Sequence, residues 1–313
     1  MKARCLYCYQ PLQGRGDYHE KFSKEFFGTP QAPKIDYEIH QMKELAKNIV
    51  ERSVTVPGVQ PKLSMSLIQQ STENKDARLT IVGALGGNYI FKPPSDQFQE
   101  MPENEHLTMR IAQAFGIRVV PSSLIRLKSG ELSYITKRID RTDSGEKIHM
   151  LDMFQITEAF DKYRSSMERV GKAIDEHASN TLLDKTYFFD LALFSFVTGN
   201  NDMHLKNFSM IESSLGWTLS PAYDLLNVAI VFPEDKEEFA LTLSGKRKKL
   251  KREHFEQLGE KLALTSKQIQ VAFNRITKNK PKAEELINQS FLSDAMKIDY
   301  LRLMDSRYAQ LNI

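Results

Sequence analysis

The sequence predicts an α+β fold in two lobes, a β-rich N-terminal lobe and an all-helical C-terminal lobe, and three observations carry this. Between residues 63 and 136, short apolar runs alternate with polar residues and are broken by Gly86-Gly87 and Ser129-Gly130, the period-2 pattern of antiparallel strands. From Met150 onward apolar residues recur at helical spacing. Between the two patterns the chain passes through Lys137-Arg138-Ile139-Asp140-Arg141, where one lobe gives way to the next.

The elements follow in order. Residues 1–52 read as an N-terminal arm and a helix. The arm is irregular and rich in Gly, Pro and charge, with the aromatic island Phe26-Phe27. The helix runs over 37–52, where Ile39, Met42, Leu45, Ala46, Ile49 and Val50 share a face. Residues 53–140 form the β-rich lobe. Pro57-Gly58 sets a turn into a strand through Leu63, Met65 and Leu67, and strands over 79–85 and 88–92 flank the hairpin signal Gly86-Gly87. A helix over 102–115 follows, and strands over 117–127 and 132–136 complete a five-stranded sheet. Residues 141–313 form the helical lobe, with helices expected near 151–160, 164–178, 180–198, 252–262, 266–276, 281–290 and 292–310.

Composition bounds the function. With 313 residues, 41% hydrophobic and 27% charged, the chain can bury a sizeable core as an ordinary globular protein. No apolar run approaches the roughly 18 residues that a membrane span needs. The N-terminus Met-Lys-Ala-Arg-Cys lacks the apolar segment of a secretory signal, so the expectation is a cytoplasmic protein. A net charge of +3 is too small to make the whole surface a nucleic-acid binder, and no direct sequence-specific binding to nucleic acid is expected. Cys5 and Cys8 form one C-x-x-C with His19 nearby, which leaves two readings: a metal knuckle, or two reduced thiols in a terminal hairpin. Lys246 to Arg252 carries six basic residues in seven and follows the acidic Glu234 to Glu238. It reads either as a solvated segment or as a docking place for an acidic or RNA-bound partner.

The stretch with the most chemistry is Gly199-Asn-Asn-Asp202-Met-His204-Leu-Lys206-Asn207-Phe208, followed by Ala222-Tyr223-Asp224. D-x-x-x-x-N puts a carboxylate and an amide on one tight loop, and a second acid returns after a strand. Phosphoryl transfer needs this set: one carboxylate to orient the attacking hydroxyl, with an amide oxygen and a second carboxylate to hold Mg²⁺ against the nucleotide phosphates. Asp202 is then the base, with Asn207 and Asp224 as the metal ligands. His204 has two readings, a phosphate contact or a structural hydrogen-bonding residue. Lys92 ends the apolar strand Tyr-Ile-Phe-Lys. It matches the strand lysine that holds ATP phosphates and pairs with a helix glutamate, here Glu105, while Glu103 favours the helix N-terminus.

The words GNNDMHLKNF, SPAYDLL, GVQPKL, FKP and ENEH, in their order and spacing from Ser53 onward, resemble the HipA-family serine/threonine kinase toxins, most of all the short HipT-type members. The resemblance implies a bilobal protein-kinase-like fold, ATP and Mg²⁺ as cofactors, and a protein substrate such as an aminoacyl-tRNA synthetase, whose phosphorylation halts translation. It implies that Gly58, Gln60 and Lys62 belong to a loop covering the phosphates. Lys137 and Ile139 would meet adenine at the hinge, with Asp140 near the ribose. It also implies autophosphorylation just before Gly58. Thr55 aligns with the first serine of the short-form Ser-x-Ser pair and Pro57 replaces the second, so Ser53 is the alternative acceptor. The expected partners are a small HipS-like protein supplying a subdomain that HipA carries itself, and a DNA-binding HipB-like antitoxin. Two other functions keep the same residues in view: a small-molecule kinase of the same superfamily, and a nucleotide-binding corepressor without turnover.

Overall fold

The computed structural model describes residues 3–14, 16–42, 44–45, 62–69, 77–81, 87–142 and 144–313. It divides into two compact units. The first unit comprises Met1–His106, Val120–Lys147 and Gln289–Phe291; the second comprises Leu107–Val119, Ile148–Asn288 and Leu292–Ile313.

The first unit is built on a five-stranded antiparallel sheet of β1 (Leu63–Gln69), β2 (Ala77–Ile81), β3 (Tyr89–Lys92), β4 (Ser122–Arg126) and β5 (Leu132–Lys137), in the order β2-β1-β3-β5-β4. Leu63 and Met65 are buried while Ser64 and Ser66, each following one of them, are partly exposed, the alternation read from the sequence. The expected strand over 117–127 is shorter: Pro121 has no N–H to give a ladder, and β4 begins at Ser122. The arm packs onto this sheet, and Cys5, Phe26 and Phe27 share one apolar cluster with Met65, Phe91 and Ile135.

The arm is less irregular than its composition predicts. Glu20–Phe27 forms helix α1, which buries Ser23, Phe26 and Phe27 and ends on Gly28 at φ 77°, whose N–H donates to the Lys24 carbonyl at 2.9 Å. Residues 39–42 and 44–45 of the expected second helix are helical, and Met42 is buried. The 14-residue helix α2 (Met101–Ala114) lies within one residue of its expected bounds.

In the second unit, α3 (Met153–Ile156) is a single turn where residues 151–160 were expected to be helical. Asp152 and Gln155 start it with a reciprocal capping box, and Glu158, at φ 48°, departs from helical geometry. Next come α4 (Met167–His177), α5 (Thr181–Val197), α6 (Val228–Val231), α7 (Arg252–Lys261), α8 (Ser266–Gln289) and α9 (Asp294–Gln310). The two helices expected over 266–276 and 281–290 are one, with Pro281 inside it. The second unit is not all-helical as expected: it also holds a three-stranded antiparallel sheet of β6 (Met150–Asp152), β7 (Ser209–Ser213) and β8 (Gly216–Leu219) in the order β6-β7-β8. From Tyr187 to Val197 all residues of α5 are buried, and the carboxyl of Asp190 is paired with Arg275.

Candidate functional site

The residues that the sequence assigns to phosphotransfer lie in both units, and each set is built by its own local structure. In the first unit, β3 delivers Lys92 and the β3–β5 register sets it across from Tyr134, whose ring centre lies 5.4 Å from Nζ. Lys92 Nζ donates to Glu105 Oε1 at 2.6 Å, and the two side chains are only 4% and 3% exposed. A lysine this deeply buried keeps its charge only beside a partner of opposite sign, so strand and helix are held to one another by an ion pair. Glu103, two residues earlier, does not act simply as an acid for the helix N-terminus. Burial, only partly offset by a backbone hydrogen bond, pushes its carboxyl up to about 7.

The Lys137 N–H donates to the Pro121 carbonyl at 3.0 Å, because Lys137 still belongs to β5. An adenine contact from Lys137 therefore has to come through its carbonyl. Asp140 is held by Arg138 at 2.9 and 2.7 Å and by Arg141 at 2.6 Å. Burial alone would raise its pKa; the two guanidinium groups outweigh burial and hold the carboxyl below the usual range. Lys62 is exposed just before β1. Ser53, Thr55, Gly58 and Gln60 lie outside the described residues.

The second unit builds the loop between α5 and β7. Gly199 ends α5 at φ 68°, and a Cβ there would press on the Leu303 side chain and come within 2.7 Å of Asn227 Oδ1, so glycine is required. The Asn201 amide donates to Asp235 Oδ2 and to the Glu237 carbonyl, both at 3.1 Å, which ties the acidic segment to the loop. The acidic and basic segments in turn engage one another, through Arg247 with Glu237 at 3.2 Å and the Leu250 N–H with Glu238 at 2.8 Å. Their charge contrast is therefore partly internal, while Lys248, Lys249 and Lys251 face solvent.

At the centre of the loop the Asp202 carbonyl accepts from the His204 N–H at 2.8 Å and from the Asn207 side-chain amide at 2.9 Å. Residues Leu205–Asn207 form a 3₁₀ turn that brings Asn207 back toward Asp202. With its NH₂ group committed, Asn207 presents its carbonyl oxygen as the remaining ligand atom. His204 is buried, and its ring meets Tyr163 edge-on with centres 5.1 Å apart, an arrangement that favours the structural reading of this residue.

Asp224 follows β8 and stands at φ 59°, a left-handed backbone that a non-glycine residue adopts at a cost of order 1–3 kcal/mol. The approach to it is pinned. The Ala222 N–H donates to the Arg118 carbonyl at 2.7 Å and to Tyr187 Oη at 3.0 Å, while Tyr223 Oη donates to the Lys206 carbonyl at 2.9 Å and shares a 2.6 Å hydrogen bond with Ser209. Strained backbone fixed by its surroundings is a setting in which functional residues cluster. Asn207 and Asp224 both offer hard oxygen donors, the donor type that Mg²⁺ takes.

Sequence reasoning missed Tyr163. Its hydroxyl donates to Asp202 Oδ1 at 2.9 Å, its N–H is held by Asp161 at 2.7 Å, and its carbonyl accepts from Arg247. Burial, then the charge and hydrogen bond of Asp202, push the phenol well above its ordinary value, so it stays a donor across any working pH. No motif marks this residue, which lies 39 positions from its partner.

A model of the HipA-like C-terminal domain matches residues 54–284. The chain belongs to that family. Among HipA-like relatives, it is 26% identical over 294 residues to a putative kinase of Haemophilus influenzae, covering 84% of this chain and 83% of that protein. It is 32% identical over 231 residues to the putative kinase Y4dM of Sinorhizobium fredii, and 25% identical over 211 residues to the serine/threonine-protein kinase toxin HipA of Shewanella oneidensis. The chain spans about half the length of these last two, 54% and 46%. The Shewanella HipA structure, solved with HipB and operator DNA, superposes with a TM-score of 0.69 at 18% identity, covering 89% of this chain and 72% of that one. The kinase-like α+β fold expected from the sequence is thus the fold found. Among the described residues no helix is long and apolar enough to cross a membrane.

Proposed function

We propose that the chain is an ATP-dependent serine/threonine protein kinase acting as the toxin of a bacterial toxin–antitoxin system. The observation that carries this is the closed Asp202–Asn207 loop, together with Asp224 held on a strained backbone. In the reaction Asp202 accepts the proton of the acceptor hydroxyl as that oxygen bonds to the γ-phosphorus and the bond to ADP breaks. Lys92 places positive charge on the nucleotide phosphates, and Glu105 holds the lysine in place. Asn207 and Asp224 would hold Mg²⁺, which offsets the phosphate charge. Lys62 with Gly58 and Gln60 would cover the phosphates, and Ile139, Asp140 and the Lys137 carbonyl would meet the nucleoside.

The substrate, by resemblance, is a protein such as an aminoacyl-tRNA synthetase. The Shewanella complex supports a HipB-like DNA-binding antitoxin as a partner. A small HipS-like protein and autophosphorylation at Thr55 or Ser53 rest on the resemblance to the short-form toxins. The test is incubation of the purified chain with Mg²⁺, γ-labelled ATP and a bacterial lysate. A labelled protein, identified by mass spectrometry and carrying phosphoserine or phosphothreonine, is expected; label in small molecules alone, or none anywhere, overturns the proposal.

Tyr163 gives a further expected result. Its hydroxyl lies within hydrogen-bond distance of the base oxygen, where an acceptor hydroxyl has to arrive, so the two compete. Tyr163→Phe should lower KM for the protein acceptor by roughly three- to tenfold, about 0.6–1.4 kcal/mol, and leave KM for ATP unchanged. Initial rates at varied acceptor and fixed ATP read this directly.

A further inference from the structure

The arm of the first unit holds a group that phosphotransfer does not use and that lies outside the family match at 54–284. Cys5 and Cys8 occupy a tight turn in which the Cys5 N–H donates to the Gln10 carbonyl and the Tyr9 N–H returns to the Cys5 carbonyl, both at 2.9 Å. Tyr9 leaves the turn at φ 68°, a left-handed step that folds the chain back on itself, and the Leu6 N–H donates to the Asp17 carbonyl at 2.8 Å. That last bond brings the start of α1 alongside the turn. His19 takes the N-cap position of α1, yet its side chain makes no capping hydrogen bond. Its ring nitrogen and the two Sγ atoms instead lie within 4.8 Å of one another. Both thiols are buried and neither is in a disulfide.

We propose that Cys5, Cys8 and His19 form a binding site for a thiophilic d¹⁰ metal ion, Zn²⁺ in the first instance, that ties the N-terminal turn to the start of α1. The donor set argues for it. Two thiolates and an imidazole suit zinc or copper(I) and are wrong for Mg²⁺ or Ca²⁺, which take oxygen. Zinc bonds of about 2.3 Å to sulfur and about 2.0–2.1 Å to nitrogen imply a ligand–ligand edge of roughly 3.5–3.8 Å in a tetrahedron. The observed spread exceeds that by about 1 Å at most, a gap that thiol rotation closes without moving the backbone. Three protein ligands leave the fourth position of zinc to water. Binding converts both thiols to thiolates and releases their protons to solvent. No other group of three or more His, Cys, Asp or Glu side chains among the described residues is placed to hold a metal.

The test uses the full chain, purified without a metal-affinity step. Elemental analysis should find stoichiometric zinc, and cobalt(II) exchange should give a thiolate-to-cobalt charge-transfer band in the near ultraviolet. Cys8→Ser and His19→Gln should each lose the bound metal. Copper(I) in place of zinc, lost in the same variants, supports the same site with the other d¹⁰ ion. Should either variant fail to fold, the cobalt spectrum of the wild type reads thiolate ligation by itself. A chain that takes up no metal on reconstitution, variants that retain it in full, or an intact mass showing Cys5 and Cys8 joined as a disulfide as isolated would each overturn the proposal.

Discussion

Asp202→Asn should reduce phosphotransfer by roughly 10²–10⁴-fold, the range typical of a lost general base, while leaving the chain folded. The substitution keeps the side-chain volume and one carbonyl oxygen that still accepts from Tyr163 Oη. It leaves untouched the Asp202 backbone carbonyl, onto which His204 and Asn207 close the loop. The thermal midpoint should therefore move by no more than a few degrees, which corresponds to about 1 kcal/mol in a chain of this size. Binding of Mg-ATP should be nearly unchanged, because the base acts on the acceptor hydroxyl. Asp224→Asn gives the contrasting result, in which loss of a hard ligand weakens Mg-ATP binding as well as turnover. Initial rates with labelled ATP, nucleotide titrations and melts together read all three quantities. An Asp202→Asn enzyme within about tenfold of wild type would remove the base assignment.

What the sequence reveals depends on how local the cause is. The five strands of the first sheet and α2 are legible because alternation and helical spacing are properties of short windows, and Lys92 and Glu105 are legible because each sits at a fixed place on such an element. α1 is harder to see. Its apolar face rests on Phe26 and Phe27 inside a stretch whose Gly and Pro content reads as loop, although Gly28 marks its end. A proline normally signals a break, so Pro281 divides α8 in the sequence, while in the structure the helix continues through it. The three-stranded sheet that flanks the Asp202–Asn207 loop is short, and β6 pairs with β7 across 58 intervening positions at Leu151 and Met210, a distance no window spans.

Tyr163 and the pinned approach to Asp224 are invisible for the same reason, since Arg118, Tyr187 and Ala222 meet only after folding. The use of the Lys137 N–H by Pro121 likewise depends on how β5 and β4 end. Residue types suited to the chemistry are thus readable at their positions, whereas the contacts that orient them come from tertiary packing.

Lys92→Met should be among the most destabilising single changes in the first unit, and it separates the structural role of the lysine from its chemical one. It leaves Glu105, 3% exposed, without the ammonium that stands 2.6 Å from its carboxylate. Breaking a buried pair from one side costs about 3–5 kcal/mol, because the remaining charge must be protonated or solvated. The sign with pH follows from burial: without the Lys92 ammonium a buried carboxyl is favoured in its neutral form, so the loss is smallest in acid and grows as pH rises through the carboxylate range. Replacing both partners, Lys92→Met with Glu105→Leu, removes the buried carboxylate as well and should recover most of that stability. Activity should not return with it, because the phosphates still lack the ammonium on β3. Chemical denaturation and labelled-ATP assays on the two single variants and the double variant complete the cycle. Recovery of phosphotransfer together with stability in the double variant would show that the pair serves the fold alone, and Lys92 would lose its place at the nucleotide.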